Sequence, residues 1–252
     1  MKIAISSYSL RDHINRDIPV WEYPAYARDT YGVDAVEIIQ RDIVDGEAGV
    51  DRLKEGLKAA GSTLVSLPID IGDISQADSA KRDEDLRAIE RWLDTAATLG
   101  CPLARVNSKD GDVGTAIASY QRLVEYGRGI GVTICMENHG GLSAKRDTAL
   151  AILDGVAGLA TSPDFGNFNE NERYDFLAAM APRAKIAHAK TFDFDEDGQM
   201  PSFDFARCVK IMDDAGFAGY YSIEFEGNGD QIDGVRRSLA LLAEVAASLP
   251  RA

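Results

Sequence analysis

The stretch Gly131-Val132-Thr133-Ile134-Cys135-Met136-Glu137-Asn138-His139-Gly140-Gly141 decides how this chain is read. A glycine is followed by a short apolar run, which ends in an acid and opens into polar residues and more glycine. The run is too short for a helix and is rich in residues that suit a buried strand. The preceding glycine sits where a helix stops before a strand begins. The same unit recurs in both directions. The strands read from sequence are Ile3–Ser6, Ala35–Ile39, Leu64–Leu67, Leu103–Val106, Thr133–Met136, Leu159–Ser162, Lys185–Ala189 and Tyr220–Phe225. Gly32, Gly61, Gly100, Gly131, Gly158 and Gly216 each fall shortly before one of them. Between the strands lie amphipathic stretches, clearest at Asp83–Leu99 and Val235–Leu249. In the first, Leu86, Ile89, Trp92, Leu93 and Ala96 share one face.

Eight strand–helix units in 252 residues leave roughly 31 residues per unit, the size of a βαβ repeat. Alternation of this kind makes a parallel sheet. Eight units at this length predict α/β architecture, a single (β/α)8 (TIM) barrel over residues 1–252. An open doubly wound sheet is the competing topology, but the turn after the first strand, Ser7-Tyr8-Ser9-Leu10-Arg11, lacks the glycines that such a sheet places there.

Charge narrows the partners. The chain carries 27 Lys+Arg against 41 Asp+Glu, a formal net charge of −14. That opposes binding to nucleic acid or to an anionic membrane, both of which present phosphate. No apolar run approaches the ~18 residues of a membrane span, and the N-terminus reads as a strand, not a signal peptide. Three scattered cysteines, Cys101, Cys135 and Cys208, fit a reducing cytoplasm. A small molecule is therefore the expected partner, and a homo-oligomer is compatible with the sequence.

A barrel carries its chemistry at the C-terminal ends of its strands. In the first half those ends hold Glu37, Asp70, Arg105 and Asn107, and in the second half Glu137, Asp164, His188 and Glu224. The last four are separated by 27, 24 and 36 residues, each about one βα unit, so they can converge above the barrel. One strand-end acid is most often a helix cap or a loop ion pair, and a lone histidine a packed one. Three carboxylates meeting without a cation would repel one another and resist burial. A divalent metal removes both difficulties, and three carboxylates with one imidazole suit Mn²⁺ first, with Mg²⁺, Co²⁺ or Zn²⁺ as alternatives.

These residues, in the order Glu137-Asn138-His139-Gly140-Gly141, Pro163-Asp164-Phe165-Gly166-Asn167, His188-Ala189-Lys190 and Ser222-Ile223-Glu224-Phe225-Glu226-Gly227, resemble the xylose-isomerase-like barrel superfamily. The resemblance extends to Tyr8-Ser9-Leu10 and Glu37 and covers almost the whole chain. It implies a metal quartet at Glu137, Asp164, His188 and Glu224. Glu226 rivals Glu224 for the last place, because residues two apart on a strand share a face.

The superfamily holds sugar isomerases, ketose epimerases, inosose isomerases and dehydratases, and nucleases. Nucleases of this kind use many histidines and a basic surface, whereas this chain has only His13, His139 and His188. Ketose 3-epimerases commonly carry a histidine where Asn167 stands, and Lys190 two residues after His188 is closer to the dehydratase relatives. The implied activity is metal-dependent isomerisation or epimerisation of an unphosphorylated sugar or keto-sugar. The alternatives are a lyase acting on a keto-sugar, inosose or oxidised glycoside, and a noncatalytic sugar- or metal-binding barrel.

The acidic loop Thr191–Asp197 and the acids flanking Gly227 and Gly229 argue against a phosphate. Expected proton carriers are Glu137, Glu224, Lys190 and His139, with Lys190 made a base by a metal lowering its pKa. Expected substrate contacts are Glu37, Arg105, Asn107 and Glu226. Tyr8, Trp21 and Phe165 are candidates to stack on a sugar ring, and Cys135 is expected to be core.

Overall fold

The computed structural model of the protein describes residues 1–249. Eight strands run in parallel: β1 (Lys2–Ser6), β2 (Ala35–Glu37), β3 (Thr63–Ile69), β4 (Leu103–Val106), β5 (Thr133–Met136), β6 (Ala160–Thr161), β7 (Ile186–Thr191) and β8 (Tyr220–Phe225). Eight α-helices alternate with them: α1 (Tyr23–Tyr31), α2 (Gly46–Ala60), α3 (Ser79–Thr98), α4 (Val113–Ile130), α5 (Arg146–Gly155), α6 (Arg173–Met180), α7 (Phe205–Asp214) and α8 (Gln231–Ser248). Neighbours pair in the order β6-β5-β4-β3-β2-β1-β8-β7. The seam between β6 and β7 is stitched by the bridges Thr161↔Ala184 and Asp164↔His188. The expected (β/α)8 barrel is therefore present, nearly closed.

The returns follow from local chemistry. Gly61 caps α2 at φ +62, a left-handed conformation that a side chain would strain, and its N–H bonds back to Leu57 and Lys58. Helix α3 starts earlier than its apolar periodicity, because Asp78 accepts hydrogen bonds from the Ala80 and Lys81 amides. Helix α8 likewise starts at an Asp230 cap. Strand β2 stops at Glu37, two residues short of the expected end, where its register against β3 shifts between Val36 and Glu37.

The main core lies between the barrel wall and the helices. A second, smaller cluster of Ala4, Ala35, Val65 and Ile186, with Leu103 and Tyr220 against it, fills the inside of the barrel near its N-terminal end. Side chains two apart on a strand share a face. Above Ile186 therefore come His188 and Lys190, and above Tyr220 come Ser222, Glu224 and Glu226. Above Ala35 comes Glu37, and above Leu103 comes Arg105. The inner surface thus changes from apolar at the bottom to ionisable at the top. No helix among the described residues is long and apolar enough to cross a membrane.

Candidate metal centre and its cavity

The four second-half residues meet around His188. Its Nδ1 lies 2.9 Å from Glu137 Oε1, 3.8 Å from Asp164 Oδ2 and 3.8 Å from Glu224 Oε2. All four are buried. Asp164 is aimed by its loop: Oδ1 accepts the Gly166 and Asn167 amides at 2.7 and 3.2 Å, which leaves Oδ2 turned inward. That Oδ2 is fully buried, and the Lys190 ammonium at 3.1 Å is its ion-pair partner. A buried carboxylate oxygen beside two further carboxylates and an imidazole nitrogen is a donor set for a divalent cation. The ligating atoms of Glu137, Asp164 and His188 all lie within 4.8 Å of one another.

Lys190 closes one side. Its ammonium sits 3.1 Å from Asp164 Oδ2, 2.9 Å from Glu224 Oε1 and 2.7 Å from Glu226 Oε2, and donates to Asn167 Oδ1 at 2.9 Å. Glycine at position 166 permits this, since a Cβ there would stand 2.5 Å from the Lys190 Cδ. On the opposite side Glu137 is held by Arg105, whose Nε lies 3.1 Å from Oε2, and by Asn107, whose amide donates to the same oxygen at 3.0 Å. Arg105 also pairs with Asp70. Asn167 Nδ2 donates to Glu137 Oε1 at 3.4 Å and so joins the two sides.

These contacts set the protonation states. Burial alone would lower His188, but the carboxylates of Glu37 and Glu137 raise it well above the usual imidazole range. Burial would raise Glu137, yet Arg105 and His188 hold it well below the ordinary carboxylate range. Asp164 is pushed up to about 7, first by burial and then by Glu224 and Glu137, against the pull of Lys190. Burial works to lower Lys190, but Asp164, Glu224 and Glu137 outweigh burial and raise it in the metal-free protein.

Above this group opens a cavity of about 370 Å³. Arg105, Asn107, Glu137, His139, Lys190, Glu224 and Glu226 line it, as the sequence reading placed them. Glu37 does not. It is fully buried behind His188, with Oε2 3.1 Å from His188 Nε2. Tyr8 lines the cavity and donates to Glu226 Oε1 at 3.2 Å, but guanidinium groups of Arg11 and Arg41 lie over its ring at 5.2 and 5.6 Å. Trp21 lies away from the cavity on the helical layer under Arg52, and Phe165 packs in the core against Phe205 and Tyr221. Cys135 is buried, and burial pushes its thiol up to about 12, which leaves it inert.

Sequence reasoning missed Arg41, Lys109 and Asn138. Arg41 and Lys109 line the mouth from loops after β2 and β4. Asn138 exchanges two hydrogen bonds with the Asp164 backbone at 2.7 and 2.9 Å, locking β5 to β6. Of the three, only Asn138 stands within the quoted motif, next to the candidate ligand Glu137.

Comparison with known proteins follows the same lines. The profile of the family described as xylose isomerase-like TIM barrel matches residues 25–245. Among solved structures, 3-keto-D-glucoside 4-epimerase from E. coli superposes with a TM-score of 0.75 at 19% identity, covering 97% of this chain and 99% of that one. A xylose isomerase-like TIM barrel protein from Mycobacterium smegmatis, in complex with magnesium, superposes with a TM-score of 0.74 at 16% identity, covering 99% and 98%. The C-glycoside deglycosidase alpha subunit of Arthrobacter globiformis is 35% identical over 70 residues, a stretch that is 25% of this chain and 20% of that protein.

Proposed function

Because this chain belongs to the xylose isomerase-like TIM barrel family, we propose that it is a divalent-metal-dependent isomerase or epimerase of an unphosphorylated sugar or keto-sugar. The observation that carries the reading is the convergence of Glu137, Asp164, His188 and Glu224, all buried, around one small volume. Mn²⁺ suits three carboxylates and one imidazole best, with Mg²⁺ and Co²⁺ next and Zn²⁺ after them. When bound, such a cation supplies electrophilic stabilisation for the oxyanion that develops as a proton leaves the carbon beside a carbonyl.

The chain's own groups divide the proton work. Glu137 accepts from Asn107 and Asn167 and faces Arg105 and His188, which suits it to holding rather than moving protons. Glu224 faces the cavity, with the Lys190 ammonium 2.9 Å from Oε1 and the His188 imidazole at 3.8 Å from Oε2. It is the carboxylate placed to take the carbon-bound proton and to return it at a neighbouring carbon. The Lys190 ammonium donates to a substrate oxygen from the same side. His139, exposed at the rim, and Glu226 carry substrate hydroxyls or exchange protons with solvent.

Lack of a phosphate on the substrate is supported by the loops after β7 and β8. A phosphate would need backbone N–H groups there. The Asn228 and Gly229 amides already donate to Asp193 at 2.7 and 3.2 Å, and Asp230 caps α8.

A second reading, elimination from a keto-sugar or oxidised glycoside, is favoured by one observation. A protonated lysine stands beside the cage, where it can hand a proton to a departing oxygen. The similarity to part of a C-glycoside deglycosidase subunit is in keeping with it. One experiment separates the two. Mn²⁺-loaded protein is incubated in D₂O with a panel of ketoses and 3-keto-glycosides and followed by NMR and mass spectrometry. Rearranged sugar of unchanged formula, carrying deuterium and lost on chelation, is the expected result. Loss of water or of an aglycone would select the lyase. Turnover that chelation leaves untouched would contradict both.

A further inference from the structure

We propose that Glu37 is a positioning residue that fixes which nitrogen of His188 is offered to the metal. The inference rests on the metal-site reading above, and concerns a residue that the sequence placed in contact with substrate.

Glu37 ends β2, and His188 lies on β7, three strands away around the barrel. The strands between them are β1 and β8. Their inward residues at this level are Ser6, the register partner of Glu37, and Ser222, the register partner of His188. Two small side chains leave the carboxylate free to reach across the barrel interior. Glu37 Oε2 lies 3.1 Å from His188 Nε2, and Glu37 Oε1 accepts from Ser222 Oγ at 3.2 Å. Both oxygens are engaged, and the side chain is buried below the cavity floor.

The two edges of the imidazole therefore face different surroundings. Nδ1 faces Glu137, Asp164 and Glu224, the three other members of the quartet. Nε2 faces one carboxylate that is already hydrogen-bonded to Ser222. A neutral imidazole that gives a lone pair at Nδ1 must carry its proton on Nε2. Glu37 accepts that proton's hydrogen bond, which selects the tautomer and holds the ring in plane. The competing arrangement puts a cation at Nε2, because ligand atoms of Glu37, His188 and Glu224 also lie within 4.8 Å of one another. The burial of Glu37 and its bond from Ser222 favour support over coordination.

The test uses Mn²⁺ and Zn²⁺ alone. Metal affinity is measured by calorimetry for the wild type, Glu37→Gln and Glu37→Leu, with circular dichroism confirming the fold. A glutamine carbonyl still accepts from Nε2–H, so Glu37→Gln should stay within about threefold of wild type. Glu37→Leu should bind about 10–100-fold more weakly, the usual cost of losing such a partner. In the Zn²⁺-loaded wild type, long-range ¹⁵N–¹H spectra should show His188 protonated at Nε2 and metallated at Nδ1. That spectrum needs no variant, and so decides the matter even where Glu37→Leu fails to fold. Metallation at Nε2 would overturn the proposal. So would a loss in Glu37→Gln as large as that in Asp164→Ala, which would make Glu37 a ligand. Unchanged affinity in Glu37→Leu would also overturn it, leaving the metal-site reading intact. A wild type that takes up neither metal would overturn both.

Discussion

Strands β5 to β8 and strands β1 to β4 contribute differently to the same cavity. Each strand of the second half ends in a residue with a donor atom turned toward one small volume: Glu137, Asp164, His188 and Glu224. The first half ends in residues that touch those donors or their neighbours. Tyr8 holds Glu226, Glu37 faces His188, and Arg105 and Asn107 hold Glu137. In the proposed reading one half supplies ligand chemistry, and the other supplies orientation and countercharge. The buried acids of the second half are balanced by His188, Lys190 and the first half's Arg105, which sit among them.

The largest effects should come from the second half. Asp164→Ala and His188→Ala should each remove metal uptake and turnover, with a larger loss of affinity than the ~10–100-fold that a supporting residue costs. If either variant binds Mn²⁺ as the wild type does by calorimetry, the division between halves fails. Lys190→Met should leave the metal bound but lower kcat by about 10²–10⁴-fold, the range for a positioned proton donor. Steady-state kinetics beside metal analysis would check it, and unchanged kcat would relegate Lys190 to a structural cation.

First-half variants sharpen the contrast. Arg105→Met leaves Glu137 and Asp70 without their shared guanidinium. It should weaken Mn²⁺ binding by about 10–100-fold and destabilise the metal-free protein by about 3–5 kcal/mol, read by calorimetry and chemical denaturation. An effect on affinity as large as that of His188→Ala would make Arg105 inseparable from the ligand set.

Proton linkage tests the second half from another direction. Asp164 titrates at about 7, raised first by burial, and His188 is held protonated by its carboxylates despite burial. Below pH 7 a cation must displace up to two protons, so affinity should rise by roughly 10–100-fold per pH unit. Above pH 7 only the imidazole proton remains to be displaced, and the slope should fall toward tenfold per unit. Calorimetry across pH 6–8 in buffers of different ionisation enthalpy measures the protons released. Affinity independent of pH would contradict these protonation states.

Effects should vanish outside the cavity. Removing the exposed Arg128–Glu125 pair should change stability by no more than about 1 kcal/mol and metal binding not at all.

The same contrast explains what was legible in sequence. The second-half residues follow the strand period, so their spacing along the chain reports their convergence, and Asn107 meets Glu137 at a similar interval of 30 residues. The longer-range pairs do not: Glu37 meets His188 across 151 residues, and Tyr8 meets Glu226 across 218. No local pattern encodes such pairs, which is why Glu37 read as a substrate contact. The expectation for Lys190 weighed one neighbouring metal, and the folded chain also brings Asp164, Glu224 and Glu226 against the ammonium. Strands and glycine returns were clear because apolar runs and caps are local. The starts of α3 and α8 were not, because their first turns are polar and held by Asp78 and Asp230 caps.

The most direct test of the account is elemental analysis of the purified protein by plasma mass spectrometry, beside Asp164→Ala and His188→Ala. About one divalent metal per chain in the wild type, as isolated or after reconstitution with Mn²⁺, and none in either variant is the predicted result. A wild type that stays metal-free after reconstitution, or variants that retain the metal, would contradict the assignment of this cavity to metal-dependent sugar chemistry.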